Sequence, residues 1–233
     1  MHPDRVRVIP AGVDLVKFHP VSDKTKIRVE FGTPSDRFIL LTVRNLVPRM
    51  GLDRLLLAMQ TVVEKIPHAL LIIGGRGPLK DQLSALVERL ALTKHVHMAG
   101  FIPEDQLPRY YQMADLFVLP TQELEGFGMV TLEALASGLP VLGTPVGGTN
   151  EILPGLDRRL VLSDSNPQTM AQGIIDYHQQ IQKSSDRSSL LALRCRQFAE
   201  THYSWDAHVA SLESLFSACK ARASRQGFVQ VPI

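Results

Sequence analysis

The chain has 233 residues and a mass of 25.8 kDa, with 45% hydrophobic and 21% charged residues, a balance that supports a buried core and excludes wholesale disorder and fibrous classes. Lys and Arg exceed Asp and Glu by 25 − 23 = 2, too even for a nucleic-acid footprint, while seven basic against four acidic residues from 183 onward suit peripheral contact with an anionic membrane face. Two cysteines, Cys195 and Cys219, exclude a disulfide framework and fit a reducing, cytoplasmic setting. No apolar run approaches the roughly 18 residues of a spanning helix, and Met1 opens no signal peptide.

In chain order, residues 6–10 predict a strand and residues 23–31 a short helix. Apolar runs at 38–43, 69–73, 96–98, 116–119, 141–142 and 160–162 then predict strands, most of them apolar on successive residues as in a parallel sheet covered on both faces. Helical periods fill the gaps at 52–66, 79–90, 104–113, 129–137 and 167–182. In the first of these, Leu55, Leu56, Met59, Val62 and Val63 recur at helical spacing until Pro67 stops it. This βαβ series predicts an α/β fold, a single doubly wound, Rossmann-like parallel sheet with right-handed crossovers. Two amphipathic helices follow at 190–199 and 205–219, and the last residues predict a frayed tail.

Such a sheet binds ligands beyond the carboxyl ends of its strands, so the loops there carry the functional signal. Gly74-Gly75-Arg76-Gly77-Pro78 follows a strand and precedes a helix, but Lys80 stands where the dinucleotide fingerprint needs its third glycine, and no Walker lysine is present. Alone, it predicts a tight turn. Glu125-Gly126-Phe127-Gly128-Met129-Val130-Thr131-Leu132-Glu133 is more specific. Its two glutamates stand eight residues apart, one in a glycine loop and one a turn into the helix. The amides of Gly128, Met129 and Val130 point out of the helix start with the positive end of its dipole, where an anion fits. A carboxylate on each side accepts hydrogen bonds from sugar or ribose hydroxyls. His95 and His97 alternate on a strand without acidic or cysteine partners at ligand spacing, which predicts strand histidines and no metal.

The run from Pro120 to Val141, followed by Gly147-Gly148-Thr149-Asn150-Glu151-Ile152, resembles the donor-binding, C-terminal half of a retaining GT-B glycosyltransferase of family 4, also called group 1. The ordered matches at 8–14, at Leu46-Val47-Pro48 with Gly51, at 74–78 and at 96–100 extend the likeness over residues 8–155. The resemblance implies transfer of a sugar from a UDP, GDP or ADP type donor to an acceptor hydroxyl with retention, without a metal or other cofactor. It implies that Glu125 contacts the donor sugar as the catalytic residue and that Glu133 holds the ribose. The amides of Phe127, Gly128, Met129 and Val130 would hold sugar hydroxyls and diphosphate, beside Gly147 and Gly148. The loops with Gly75 and Gly77 and with Phe101 and Ile102 would border the base.

One departure stands out. Aligned on Leu46 and Gly51, the family's phosphate-binding arginine and lysine positions hold Asn45 and Met50, while Arg44 and Arg49 each lie one residue earlier. Fixed cations aimed at developing charge supply several kcal/mol. Either Arg49 replaces the lysine or the site is weakened. Arg44 is the poorer substitute, because neighbouring strand residues point to opposite faces.

Two rivals remain at this level, a non-catalytic nucleotide-sugar-binding module and another GT-B enzyme such as a nucleotide-sugar epimerase. The resemblance divides the chain into an interdomain strand and linker from an absent N-terminal acceptor domain (1–36), a nucleotide-sugar-binding domain (37–184), helices that pack back across the joint (185–222) and a tail (223–233). The expectation is a half enzyme, inactive alone.

Overall fold

The computed structural model of the chain describes residues 6–183 and 185–225. Five strands form one sheet: β1 (Phe38–Val43), β2 (Ala69–Gly74), β3 (Val96–Gly100), β4 (Leu116–Leu119) and β5 (Val141–Gly143). All pairings are parallel and the order is β3-β2-β1-β4-β5. The helices are α1 (Lys24–Glu30), α2 (Leu52–Lys65), α3 (Lys80–Arg89), α4 (Leu107–Met113), α5 (Met129–Ala136), α6 (Gly148–Leu156), α7 (Pro167–Gln182), α8 (Ser185–Tyr203) and α9 (Trp205–Arg225).

The strands carry apolar residues in succession because both faces are covered. Phe38 and Leu40 of β1 and Leu116 and Val118 of β4 enter one layer with Leu55, Met59 and Val62 of α2 and Ile174 of α7. Ile39, Leu41, Phe117 and Leu119 enter the other with Tyr111 of α4, Leu132 and Leu135 of α5, Ile152 of α6 and Cys195 of α8. The alternation is that of a pleated strand. Burial pushes the Cys195 thiol up to about 12, so it packs as a small apolar side chain. Among the described residues, no helix is long and apolar enough to cross a membrane.

The sheet-forming residues behave as the hydrophobic pattern predicts, and three other segments do not. Residues 6–10 form no strand; the neighbouring segment instead lies along the helices at the other end of the chain. The Val13 amide donates to the Tyr203 carbonyl at 2.7 Å, and His208 Nδ1 lies 2.7 Å from the Pro10 carbonyl. Arg196 of α8 fastens the same segment, donating to the carbonyls of Phe18 at 2.7 Å, Leu15 at 3.2 Å and Ala136 at 2.9 Å. The 160–162 run shrinks to one bridge between Val161 and Gly143, because a short 3-10 turn, Arg158–Leu160, takes up its first residue. The glycine-rich stretch from 147 turns directly into α6, a helix that contains Pro154. Of the expected tail, α9 continues to Arg225 and the remainder lies outside the described residues.

Arg28 of α1 is buried and donates to the Met113 carbonyl and, at 2.7 Å, to Asp115, whose carboxylate also takes the Ile39 amide at 2.9 Å. With Lys24, which lies 3.7 Å from the Asp115 carboxylate and donates to the Ala114 carbonyl, Arg28 locks α1 onto the starts of β1 and β4. The edge opposite, at the carboxyl ends, is left to the loops.

Candidate functional site

The order in which strands are added to the sheet reverses between β1 and β4. The connection after β1 runs toward β2 and the one after β4 toward β5, so their loops separate and open a crevice. From β1 come Arg44, Asn45 and a 3-10 turn, Pro48–Met50. From β4 comes the 120–128 loop. The two are stitched together where the Gln122 amide donates to the Arg49 carbonyl at 2.8 Å and Arg49 Nη1 donates to the Leu124 carbonyl at 2.6 Å.

Glu125 is held from two sides. Thr121 Oγ1 donates to its Oε2 at 2.8 Å, and Arg44 Nη2 forms an ion pair with the same oxygen. The side chains of the pair are only 6% and 7% exposed. This corrects the expectation that Arg44 points away. The pairing with β2 continues past Val43, since the Arg44 amide donates to the Gly74 carbonyl at 2.9 Å and the Leu46 amide to that of Arg76 at 3.0 Å, and the alternation turns Arg44 toward Glu125 while it leaves Asn45 exposed. Arg49 instead lines a cleft of about 760 Å³ with Pro48, Asp53, Leu86, Arg89 and Glu123, and the Glu125 carboxylate takes its bonds from Arg44 and Thr121. Asn45 is exposed.

The third loop, after β5, fixes the second. The Gly148 amide donates to the Gly126 carbonyl at 3.0 Å. A Cβ on Gly148 would stand 2.4 Å from the Phe127 carbonyl oxygen, and one on Gly147 would stand 2.1 Å from that of Glu125. Both glycines therefore serve close backbone packing. The Phe127 ring lies 6.1 Å from that of Tyr203 at the α8–α9 junction, which ties the same loop to the C-terminal helices.

Gly128 starts α5 in the left-handed conformation, φ 82° and ψ 50°, and no side chain caps the helix. The Met129 and Val130 amides have no intrahelical acceptors, while the Thr131 amide donates to the Gly128 carbonyl at 2.9 Å. Met129 is exposed, Val130 half-buried, and the Thr131 hydroxyl is buried without a hydrogen-bond partner. One turn on, Glu133 accepts from Tyr111 Oη of α4 at 2.8 Å. Burial raises the Glu133 carboxyl above the usual range, and the Tyr111 hydrogen bond only partly opposes this.

At the far side of the crevice, Gly75 and Gly77 pack on the carbonyls of Arg44 and Leu46, and the Gly75 amide donates to Gly100 at 2.6 Å. Ile102 is buried against Gly74, while Phe101 is exposed with the Arg76 guanidinium 5.0 Å from its ring centre. The structure thus brings Arg44, Glu125, Gly128 and the start of α5 together, with Gly147 and Gly148 behind them. Sequence reasoning did not single out Thr121 or Tyr111. Thr121 lies four residues before Glu125 in the same loop and was within reach of such reasoning; Tyr111 arrives from another helix with no spacing to mark it.

The raised Glu133 carboxyl has a consequence for stability. Unfolding returns it to about 4.5, so between that value and its higher folded value the native state binds more protons, and stability falls as pH rises through the window. Above the folded value the penalty is present in full. Glu133→Gln keeps an acceptor for Tyr111 and removes the ionisation. Its melting temperature at pH 7 is expected to rise by roughly a few degrees, with the gain shrinking toward pH 4.5. Thermal denaturation across that range checks this, and a lower melting temperature at pH 7 would count against it.

The family model of the group 1 glycosyl transferases matches residues 23–188. A GDP-mannose-dependent alpha-(1-6)-phosphatidylinositol monomannoside mannosyltransferase of Mycolicibacterium smegmatis is 29% identical over 94% of this chain and 57% of its own length. Among solved structures, Anabaena HepE in complex with UDP superposes with a TM-score of 0.79 at 21% identity, over 93% of this chain and 58% of that one. The C-terminal domain of the Francisella tularensis group 1 protein LpcC gives 0.70 at 22% identity, over 83% of this chain and 99% of that domain. The chain thus spans a little over half the length of the mannosyltransferase and of HepE. A doubly wound sheet of this order, an uncapped helix entered through Glu125-Gly126-Phe127-Gly128 and a family match across 23–188 agree: the chain belongs to the group 1 glycosyl transferases and has the fold of the C-terminal domain of a GT-B enzyme.

Proposed function

We propose that this chain binds a nucleotide diphosphate sugar and forms the donor half of a retaining sugar transferase whose acceptor half lies outside it. The observation that carries this reading is the uncapped start of α5 with a carboxylate on either side, Glu125 in the entering loop and Glu133 one turn inside. The helix start and its free amides favour the diphosphate. Glu125 accepts from hydroxyls of the sugar, and Glu133, already aligned by Tyr111, from those of the ribose. Phe101, Ile102 and the Gly75 to Gly77 turn border the base.

In the transfer, the bond between the anomeric carbon and the diphosphate oxygen breaks with its electron pair on the diphosphate, the acceptor oxygen bonds to that carbon, and the acceptor's hydroxyl proton passes to the departing diphosphate. Negative charge grows on the departing diphosphate, where a preorganised dipole and cation stabilise it most. An acceptor must be held within reach for this to be fast. With no acceptor half, the chain alone is expected to bind donor and turn nothing over. The names of the similar proteins favour this chemistry, since one is GDP-mannose-dependent and another was crystallised with UDP.

Thermal shift with UDP, GDP and ADP tests the reading. A ligand at a hundredfold excess over its Kd adds about 2.7 kcal/mol of stability, so one of the three is expected to raise the melting temperature clearly. No shift with any of them sinks the donor site. Sugar transfer by this chain alone would overturn the half-enzyme part.

A further inference from the structure

We infer that Arg44 is the cation that receives the donor's diphosphate, an assignment that rests on the nucleotide-sugar reading above. The Arg44 side chain is 6% exposed. Its contacts all leave through Nη2: to Thr121 Oγ1 at 2.9 Å, to Glu125 Oε2, and against Met50 Sδ at 2.8 Å. A guanidinium carries five N–H donors on three nitrogens. Nε is buried with no hydrogen-bond partner, and Nη1 donates to none of the described residues. Unspent donors on a buried charged group are costly. They are explained by an acceptor that is present when the protein works.

Glu125 shows the same pattern from the other side. Both of its bonds, from Arg44 and from Thr121, use Oε2, and Oε1 accepts from none of the described residues. The pair is therefore half spent at both ends. An anion with several oxygens accepts from Nη1 and from Nε separately, because the two lie on different edges of the guanidinium and form no single fork. A hydroxyl donor fits Oε1. A molecule that carries a phosphate next to a sugar supplies both, in the crevice that also holds the uncapped start of α5.

No neighbouring group does this better. Asn45 is neutral and exposed, and Arg49 is committed to the Leu124 carbonyl and to the cleft on its own side. The contact between Arg44 Nη2 and Met50 Sδ shows that the ends of these two side chains share one place. A lysine at 50 would bring its ammonium there from the loop, whereas in this chain the charge enters from the end of β1. The cation is relocated rather than lost, and Glu125 keeps it neutralised until the phosphate arrives.

The test compares affinity for a nucleoside diphosphate with affinity for the parent nucleoside, by calorimetry on the 233-residue chain, using whichever of UDP, GDP or ADP binds. Arg44→Gln is expected to lower the preference for the diphosphate by about tenfold or more, and Arg44→Gln/Met50→Lys to restore most of it. A merely structural role would weaken nucleoside and diphosphate alike and leave the ratio unchanged. Should Arg44→Gln fail to fold, Arg44→Gln/Glu125→Gln leaves no unpaired buried charge and is compared with Glu125→Gln for the same drop. An unchanged ratio in a folded variant overturns the assignment to Arg44 and leaves the donor reading standing. Absence of any diphosphate binding by the parent chain removes both.

Discussion

Gly147→Ala is expected to destabilise the chain by about 3 to 5 kcal/mol, summing backbone strain and forced overpacking. The backbone at Gly147 has φ 49° and ψ −131°, a combination that residues with a Cβ rarely adopt. The added methyl would also stand 2.1 Å from the Glu125 carbonyl oxygen and 2.9 Å from its carbonyl carbon. Neither atom belongs to a flexible side chain. Something in the backbone has to move, and the segment that moves carries Glu125. Nucleotide affinity should therefore fall together with stability.

Two neighbouring glycines serve as internal controls. Gly128 is left-handed at φ 82°, but a Cβ there meets nothing nearer than the Thr131 hydroxyl at 3.4 Å, so Gly128→Ala should cost ~1 kcal/mol of conformational strain. A Cβ on Gly126 meets nothing within 4 Å, and Gly126→Ala should stay within roughly 0.5 kcal/mol of the parent. Urea unfolding with a common slope ranks the three. An order other than 147, 128, 126 would contradict the packing described for these loops.

Glu125→Ala is the second large effect, expected at about 3 to 5 kcal/mol, because it leaves a buried guanidinium without its carboxylate. The magnitude follows from exposure: both side chains of the pair are under one-tenth exposed. Salt tests the same point, since a buried pair is screened far less than a surface pair, and the loss should persist in concentrated sodium chloride. Glu125→Gln keeps an oxygen to accept from Thr121 and Arg44 and should cost roughly half as much. Urea unfolding of both variants at low and high salt separates the outcomes. If Glu125→Ala were as stable as the parent, the pair would be solvated and the charge at Arg44 no longer costly to leave alone.

The fold was legible because its signal is local. The runs at β1, β2, β4 and β5 carry apolar residues in succession, while β3 is interrupted by His97, as strands covered on both faces allow, and the helices between them show their own period. The elements that were misjudged lack such a signal. Residues 6–10 are apolar enough for a strand but have no neighbouring strand, and their segment pairs with the α8–α9 junction far along the chain. The α6 helix was hidden by Pro154 and Gly155, both of which oppose a helix when tertiary contacts are ignored.

The site divides in the same way. Glu125, Glu133 and the glycines between them are contiguous, so their spacing and chemistry announce an anion site flanked by two carboxylates, and no knowledge of the sheet is needed. What completes the site comes from afar. Tyr111 reaches Glu133 across 22 positions and Arg44 reaches Glu125 across 81. Residue order determined the doubly wound fold, the edge of the sheet that carries the loops and the uncapped helix start among them, because periodicity and backbone conformation act over a few residues. Only the tertiary structure decided that Arg44 meets Glu125: the pairing that continues past Val43 turns residue 44 inward, and its side chain is long enough to enter a crevice formed by loops from two separate strands.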